Sequence, residues 1–397
     1  MKRNAILALA LAATLPVAAK KDKEKKSEGY QFKTIIENPI TPVKNQNRSG
    51  TCWSFSGLGF IESELLRMGK PEVDLSEMFV VYNSYLDKAR KYVRMHGQLN
   101  FGGGGSFHDV LYVLKHYGAV PETAYTGLEY GEKMHVHTEL DNLAKGYAET
   151  VTESRGKLQN AWEKGYVGIL DAYLGELPAD FEVDGKTYTP QSYVESLGLN
   201  ADDYVSITSY THHPFYTSFP IEIPDNWRWG TSYNVPMEDM KAIADNAVEN
   251  GYTIAWGGDV SEKGFTRDGM AVLLDVEGAD LTGSDAARWL GLSSKEKDAE
   301  IKKMMEGPSK ELSVTQESRQ DGFDRYQTTD DHGMQLYGIA EDQNGTRYYM
   351  IKNSWGETGK YKGHWYMSEP FFMAKTMNYV VHKDAVPADI AKKLGIR

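Results

Sequence analysis

The order of elements along this chain predicts an α+β fold in two lobes. Three observations carry the prediction: helical segments come first, antiparallel strands come later, and a tight Asn-Gly turn joins two of those strands. Hydrophobic residues make up 41% and charged residues 25%, which is the composition of a folded globular protein. A length of 397 residues suits one large or two ordinary domains.

The elements follow in order. Lys2 and Arg3 precede an apolar run from Ala5 to Val17, and Val17-Ala18-Ala19 offers small residues for cleavage. This is the layout of a secretory signal peptide over 1–19. It predicts export to the periplasm or the cell exterior. A charged, flexible leader then covers 20–31. A helix is predicted from Cys52 to Met68, stopped by Gly69 and Pro71. A second runs from about Phe107 to Tyr117, with Ser106 as N-cap, Asp109 completing a capping box and Gly118 ending it. Its residues Val110, Leu111, Val113, Leu114 and Tyr117 share one core face. Residues 136–200 read as charged and mostly helical.

Beyond them, Pro236 opens a helix over Met237–Glu249, a strand follows at Thr253–Gly257, and 284–306 reads as a helical insertion. Met334–Ala340 and Arg347–Lys352 form a hairpin across Asn344-Gly345. The expected division is a mainly helical lobe over 32–230 and a β-rich lobe with a C-terminal tail over 231–397.

Several function classes drop out. A formal net charge of −12 argues against nucleic acid as a partner, because phosphate binding needs a basic surface. No internal apolar run is long enough to span a membrane once a signal is removed. A single cysteine rules out an internal disulfide and any multi-cysteine metal site. His135 and His137 read as solvated or packed. The side chains of the adjacent pair His212 and His213 are expected to diverge, so no metal is expected.

Cys52, in the run QNRSGTCWSF, is either a small buried hydrophobe or a nucleophile. It follows a polar, glycine-containing loop and opens a helix, where it meets the positive end of the helix dipole. A thiol nucleophile needs a base, a group that orients the base, and donors for an oxyanion. His332 stands just before one strand of the hairpin, and Asn353 ends the other, twenty-one residues later. Antiparallel pairing returns Asn353 beside His332, with Trp355 placed to cover that hydrogen bond from water. Gln46, six residues before Cys52, is the candidate side-chain oxyanion donor alongside the Cys52 N–H. Each has a bland reading: a surface glutamine, a buried histidine, a turn asparagine. Their joint occurrence favours chemistry, and that chemistry requires no metal or organic cofactor.

Gln46, CWSF from Cys52, Asp331-His332-Gly333 and Asn353-Ser354-Trp355-Gly356 resemble, in order and in local motif, the papain superfamily of cysteine peptidases. The resemblance implies a papain-like fold, with a helical lobe, an antiparallel β-barrel-like lobe and helical insertions. It also implies peptide substrates and a Cys52–His332 pair held as thiolate and imidazolium. The glycine run 102–105 is similar to the family's substrate-backbone edge, with Gly104 or Gly105 admitting an extended peptide. The 280 residues between Cys52 and His332, Tyr233-Asn234-Val235-Pro236 and the tail after Trp365 look like the bleomycin hydrolase and aminopeptidase C branch.

That branch implies a cysteine aminopeptidase, a self-enclosing hexamer, and a terminal carboxylate, here on Arg397, that meets the substrate amine. The chain is short for the branch and carries an export-like leader, which relatives lack. Its acidity gives no support to DNA binding. An exported endopeptidase with an open cleft therefore stays as an alternative. A non-catalytic peptide-binding relative is opposed by the intact set of four residues.

Overall fold

The computed structural model describes residues 29–278 and 280–396. The signal and most of the leader expected at the N-terminus lie outside the described residues.

Strand β1 (Lys33–Glu37) leads to helix α1 (Cys52–Arg67), whose residues from Trp53 to Leu65 are all buried. A helix covered on every side belongs at the centre of a core. Gly57 permits its tight contact with the next core helix, because a Cβ there would approach Val110 Cγ2 at 2.8 Å. Helix α2 (Glu77–Arg94) has no counterpart among the sequence expectations. Its Ser76 N-cap accepts from the Phe79 N–H, but Glu77 and Lys88 on its buried face blur the apolar period. Helix α3 (Phe107–His116) carries the expected Ser106–Asp109 capping box.

Helices α4 (Thr138–Glu153) and α5 (Ala161–Leu174) pack on α2. A small hairpin, β2 (Phe181–Val183) and β3 (Lys186–Tyr188), interrupts the segment before α6 (Pro190–Leu197). Strands β4 (Tyr204–Thr208), β5 (Thr217–Pro220) and β6 (Thr231–Asn234) precede α7 (Met237–Glu249) and β7 (Ile254–Gly258). After β8 (Met270–Ala271), the expected insertion is two helices, α8 (Gly283–Gly291) and α9 (Ser294–Met304), followed by α10 (Gln316–Asp324). The chain finishes with β9 (His332–Glu341), β10 (Arg347–Lys352), β11 (His364–Ser368), α11 (Glu369–Lys375), β12 (Thr376–His382) and α12 (Ala388–Leu394).

Ten strands form one mostly antiparallel sheet in the order β5-β6-β4-β12-β7-β9-β10-β11-β8, with β1 on β9. One edge of β9 pairs with β10; the other pairs with β7 over its first half and β1 over its second. The two largest of the hydrophobic clusters form the main cores. The first joins α1, α2, α3, α4 and α5 and also takes in Ala255 and Val380 from the strands. The second starts at Ile207 and gathers α7, α11, α12 and the strands. β4 is held by β12 in the sheet. Among the described residues, no helix is long and apolar enough to cross a membrane.

Candidate active site

Cys52 is the first residue of α1, and the Thr51 side chain makes no capping hydrogen bond. The Ser54 N–H donates to the Thr51 carbonyl at 2.9 Å, and the Trp53 N–H points to the Cys52 sulfur. Cys52 lines a cavity together with Gly105, Asp225, Asp330 and His332. His332 opens β9, opposite Gly258 of β7.

The Nε2–H of His332 donates to Asn353 Oδ1 at 2.7 Å. The Ser354 N–H donates to the same oxygen at 2.7 Å, which orients the amide with its oxygen toward the ring. Nε2 therefore carries the proton, and Nδ1 is the basic nitrogen of the neutral ring. The ring of Trp355 lies 4.7 Å from that of His332 and is backed edge-on by Trp365. Asn353, His332 and Trp355 are thus brought together as the hairpin predicts.

The electrostatics differ from expectation. Burial pushes the Cys52 thiol up to about 12, and the carboxylates of Asp330 and Asp225 add to the rise. Burial pushes the His332 imidazole down to about 4, against the help of Asn353. Desolvation in the apo cleft thus favours the uncharged form of each group, opposing the pull of the helix terminus on the thiol.

Gln46 is buried, and its two loops are stitched to the Asn353 segment. Its backbone N–H donates to the Ser354 carbonyl at 2.8 Å, and its Oε1 accepts from Ser354 Oγ at 2.6 Å. Its Nε2 donates one hydrogen to the Ser49 carbonyl at 2.8 Å, leaving one amide hydrogen for another acceptor. Gln46 does not itself line the cavity.

The glycine run is occupied from within. Trp53 Nε1 donates to the Gly103 carbonyl at 3.1 Å, and the buried Lys88 ammonium donates to the carbonyls of Gly102 and Gly104. The Asp225 carboxylate sits where a Cβ on Gly104 would project. Gly104 is thus covered by the chain's own Asp225, and only Gly105 of the pair reaches the cavity.

Arg397 lies outside the described residues. The segment before it packs α12 into the second core through Ile390 and Leu394, while Lys393 reaches Tyr216 and Asp239. No residue of 383–396 lines the cavity.

The histidine pairs divide. His135 and His137 are packed, and burial pushes each down to about 4. His212 and His213 converge rather than diverge. Their Nε2 atoms meet the two oxygens of Glu222 at 3.1 and 3.0 Å, because stacking on Phe323 and Phe219 turns both rings the same way. The three donor sets lie within 4.8 Å of one another, and the Glu222 contacts account for the arrangement.

Two carboxylates in the cavity have no counterpart among the sequence expectations. Asp330 immediately precedes Asp331-His332, so a doubled acid beside the base was its signal. Asp225 sits in a segment without a motif, and only the fold brings it to the cleft.

A thiol at the head of a buried helix, facing a histidine–asparagine pair on a mostly antiparallel sheet, defines the class of papain-like folds. The comparisons agree. The model of the papain family of cysteine proteases matches residues 30–170, and that of a peptidase C1-like family matches 309–396. The chain is 24% identical over 398 residues to aminopeptidase G of Lactobacillus delbrueckii subsp. lactis, covering 89% of this chain and 83% of the relative. It is 23% identical to aminopeptidase C of Lactococcus lactis subsp. cremoris, covering 86% and 81%. It superposes on the crystal structure of PepW from Lactobacillus rhamnosis HN001 with a TM-score of 0.68 at 19% identity, covering 91% of this chain and 84% of that one.

The chain is similar at both ends to papain-type cysteine peptidases and over most of its length to the aminopeptidase C branch, which supports a cysteine-type peptidase. The expectation of export is corrected by the same relatives, because aminopeptidases C, G, E and W are intracellular enzymes.

Proposed function

We propose that this chain is an aminopeptidase that releases N-terminal residues through a thioester on Cys52. The observation that carries the mechanism is a thiol and a histidine in one cavity, with His332 held by Asn353 so that Nδ1 is its free base. Support for the substrate class comes from relatives named aminopeptidases that match over more than four-fifths of their length.

His332 Nδ1 takes the Sγ proton as sulfur attacks the carbonyl carbon, forming the C–S bond and an oxyanion. The Cys52 N–H and the remaining amide hydrogen of Gln46 stabilise that oxygen; losing one such donor costs roughly 3 kcal/mol, about a hundredfold in rate. The imidazolium then gives its proton to the leaving nitrogen as the C–N bond breaks. Water, deprotonated by His332, cleaves the thioester and restores the thiol. Proton transfer is coupled to attack, which suits a pair whose uncharged forms desolvation favours. Asn353 holds the ring through both steps, and Trp355 shields that hydrogen bond.

The test uses one peptide amide in two forms, with a free and with an acetylated N-terminus. The reading predicts turnover of the free form and little of the blocked one. Comparable rates on both would replace it with an endopeptidase.

A further inference from the structure

A strap, residues 221–230, borders the cleft through Ile223 and Asp225. Asn226 staples it internally: Nδ2 donates to the carbonyls of Ile221 and Gly230 at 3.0 Å each, and Oδ1 accepts from the Gly230 N–H at 2.9 Å. Arg228 anchors it to the helical lobe. Its Nε donates to Asp109 at 2.8 Å and its other nitrogen to Asp87 at 3.1 Å. Asp109 is fully buried and also closes the α3 capping box, so the strap is tied to the helix that borders the cleft. Asn100 Nδ2 then steers Asp225 by donating to its Oδ1 at 3.1 Å.

Strap and cleft floor bring two acids together. Asp225 covers Gly104, where an extended peptide would otherwise run past the thiol, and lines the cavity with Asp330. Asp330 has no hydrogen-bond or ion-pair partner among the described residues, and the charged groups it feels are Asp225 and Asp331, both acidic. A sunken carboxylate without a cation is costly unless a ligand supplies one. The Lys88 ammonium acts on Asp225, Asp109 and Asp141 but is not among the charges that reach Asp330.

We propose that Asp330 and Asp225 form the anchor for the substrate's free α-ammonium, and that the strap blocks any residue before it. This rests on the aminopeptidase reading and deepens it by naming the groups that select a free N-terminus. A peptide bond at Cys52 then has room for one residue on its amino side, whose ammonium meets both carboxylates. An acetylated or internal residue brings no charge and collides with the strap. Enclosure by other subunits is not needed for this selectivity.

Burial and the two neighbouring acids push Asp330 up to about 8, so it holds its proton in an empty cleft and gives it to solvent when an ammonium arrives.

The test compares kcat and KM of the wild type, Asp330→Asn and Asp225→Asn on an aminoacyl coumarin amide and its N-acetyl twin. Wild-type preference for the free amine is measured first; without it the aminopeptidase reading fails, whatever the variants do. Given that preference, each variant is expected to lower the free-to-acetylated ratio of kcat/KM by about ten- to a hundredfold, mainly through KM, the range of a charge-assisted hydrogen bond. Equal losses on both substrates, or an unchanged ratio, overturn the anchor. Labelling of Cys52 by a thiol-directed epoxide reports whether the site is intact. Should one variant not fold, the other, on a separate element, decides the question.

Discussion

The two walls of the cleft are built from different kinds of sequence. One wall, Cys52 with His332 and Asn353, consists of residues placed by a helix start and a hairpin, so each position follows from local rules. The other, Asp225 over Gly104 with Asp330 beneath, depends on a strap held by Arg228 and Asn226 across long sequence distances. On the proposed mechanism the first wall supplies the bond-making chemistry, and on the proposed anchor the second decides what reaches it. Chemistry and selectivity would then be separable, and substitutions on the two walls should fail in different ways.

The largest effect is expected at the nucleophile. Cys52→Ala should lower kcat on the order of 10⁴-fold or more while leaving thermal unfolding near that of the wild type. Retained turnover would remove Cys52 from the mechanism. Asn353→Ala strips His332 of its orienting acceptor and should cost about ten- to a hundredfold in kcat, with free and acetylated substrates affected alike. A selective loss on one substrate would blur the division between the walls.

On the other wall, Arg228→Met leaves the buried Asp109 carboxylate without its cation. A loss of stability of roughly 3–5 kcal/mol is expected from denaturant titration, with weaker discrimination against blocked N-termini. Full discrimination in a folded Arg228→Met enzyme would mean that the strap does not close the cleft.

The broadest effect is on pH. Burial lowers His332, His135 and His137 to about 4 each, against about 6.5 in an unfolded chain. A depressed folded value means that the stabilisation is fully present above about pH 6.5 and is lost as pH falls toward 4, where the unfolded chain binds protons the folded one refuses. Each group adds at most about 1.4 kcal/mol per pH unit in that window. Urea midpoints that do not move between pH 6.5 and 4.5 would contradict this. On the activity side, burial of His332 shifts the acid limb of the kcat profile below the pH of a free imidazole.

What could be read from the sequence follows the same division. The capping box at Ser106 and Asp109, the strand 347–352 and the His332–Asn353 pairing rest on short-range periodicity and turn chemistry, and the structure reproduces them. Helix α2 escaped because Glu77 and Lys88 are buried polar groups that break an apolar pattern. Strands β4, β5 and β6 escaped because their partners lie far along the chain; β4 pairs with β12. Burial around the thiol, with Asp330 and Asp225 beside it, was also not legible from spacing, because it depends on segments far apart in the chain.

The central claim is that the thiol cuts one residue behind a free amine. Its most direct test is mass spectrometry of a short peptide with a free N-terminus during incubation with the enzyme. The account predicts a ladder of products, each one N-terminal residue shorter than the last, and no products from the acetylated peptide. Internal fragments, or equal digestion of the acetylated peptide, would contradict it.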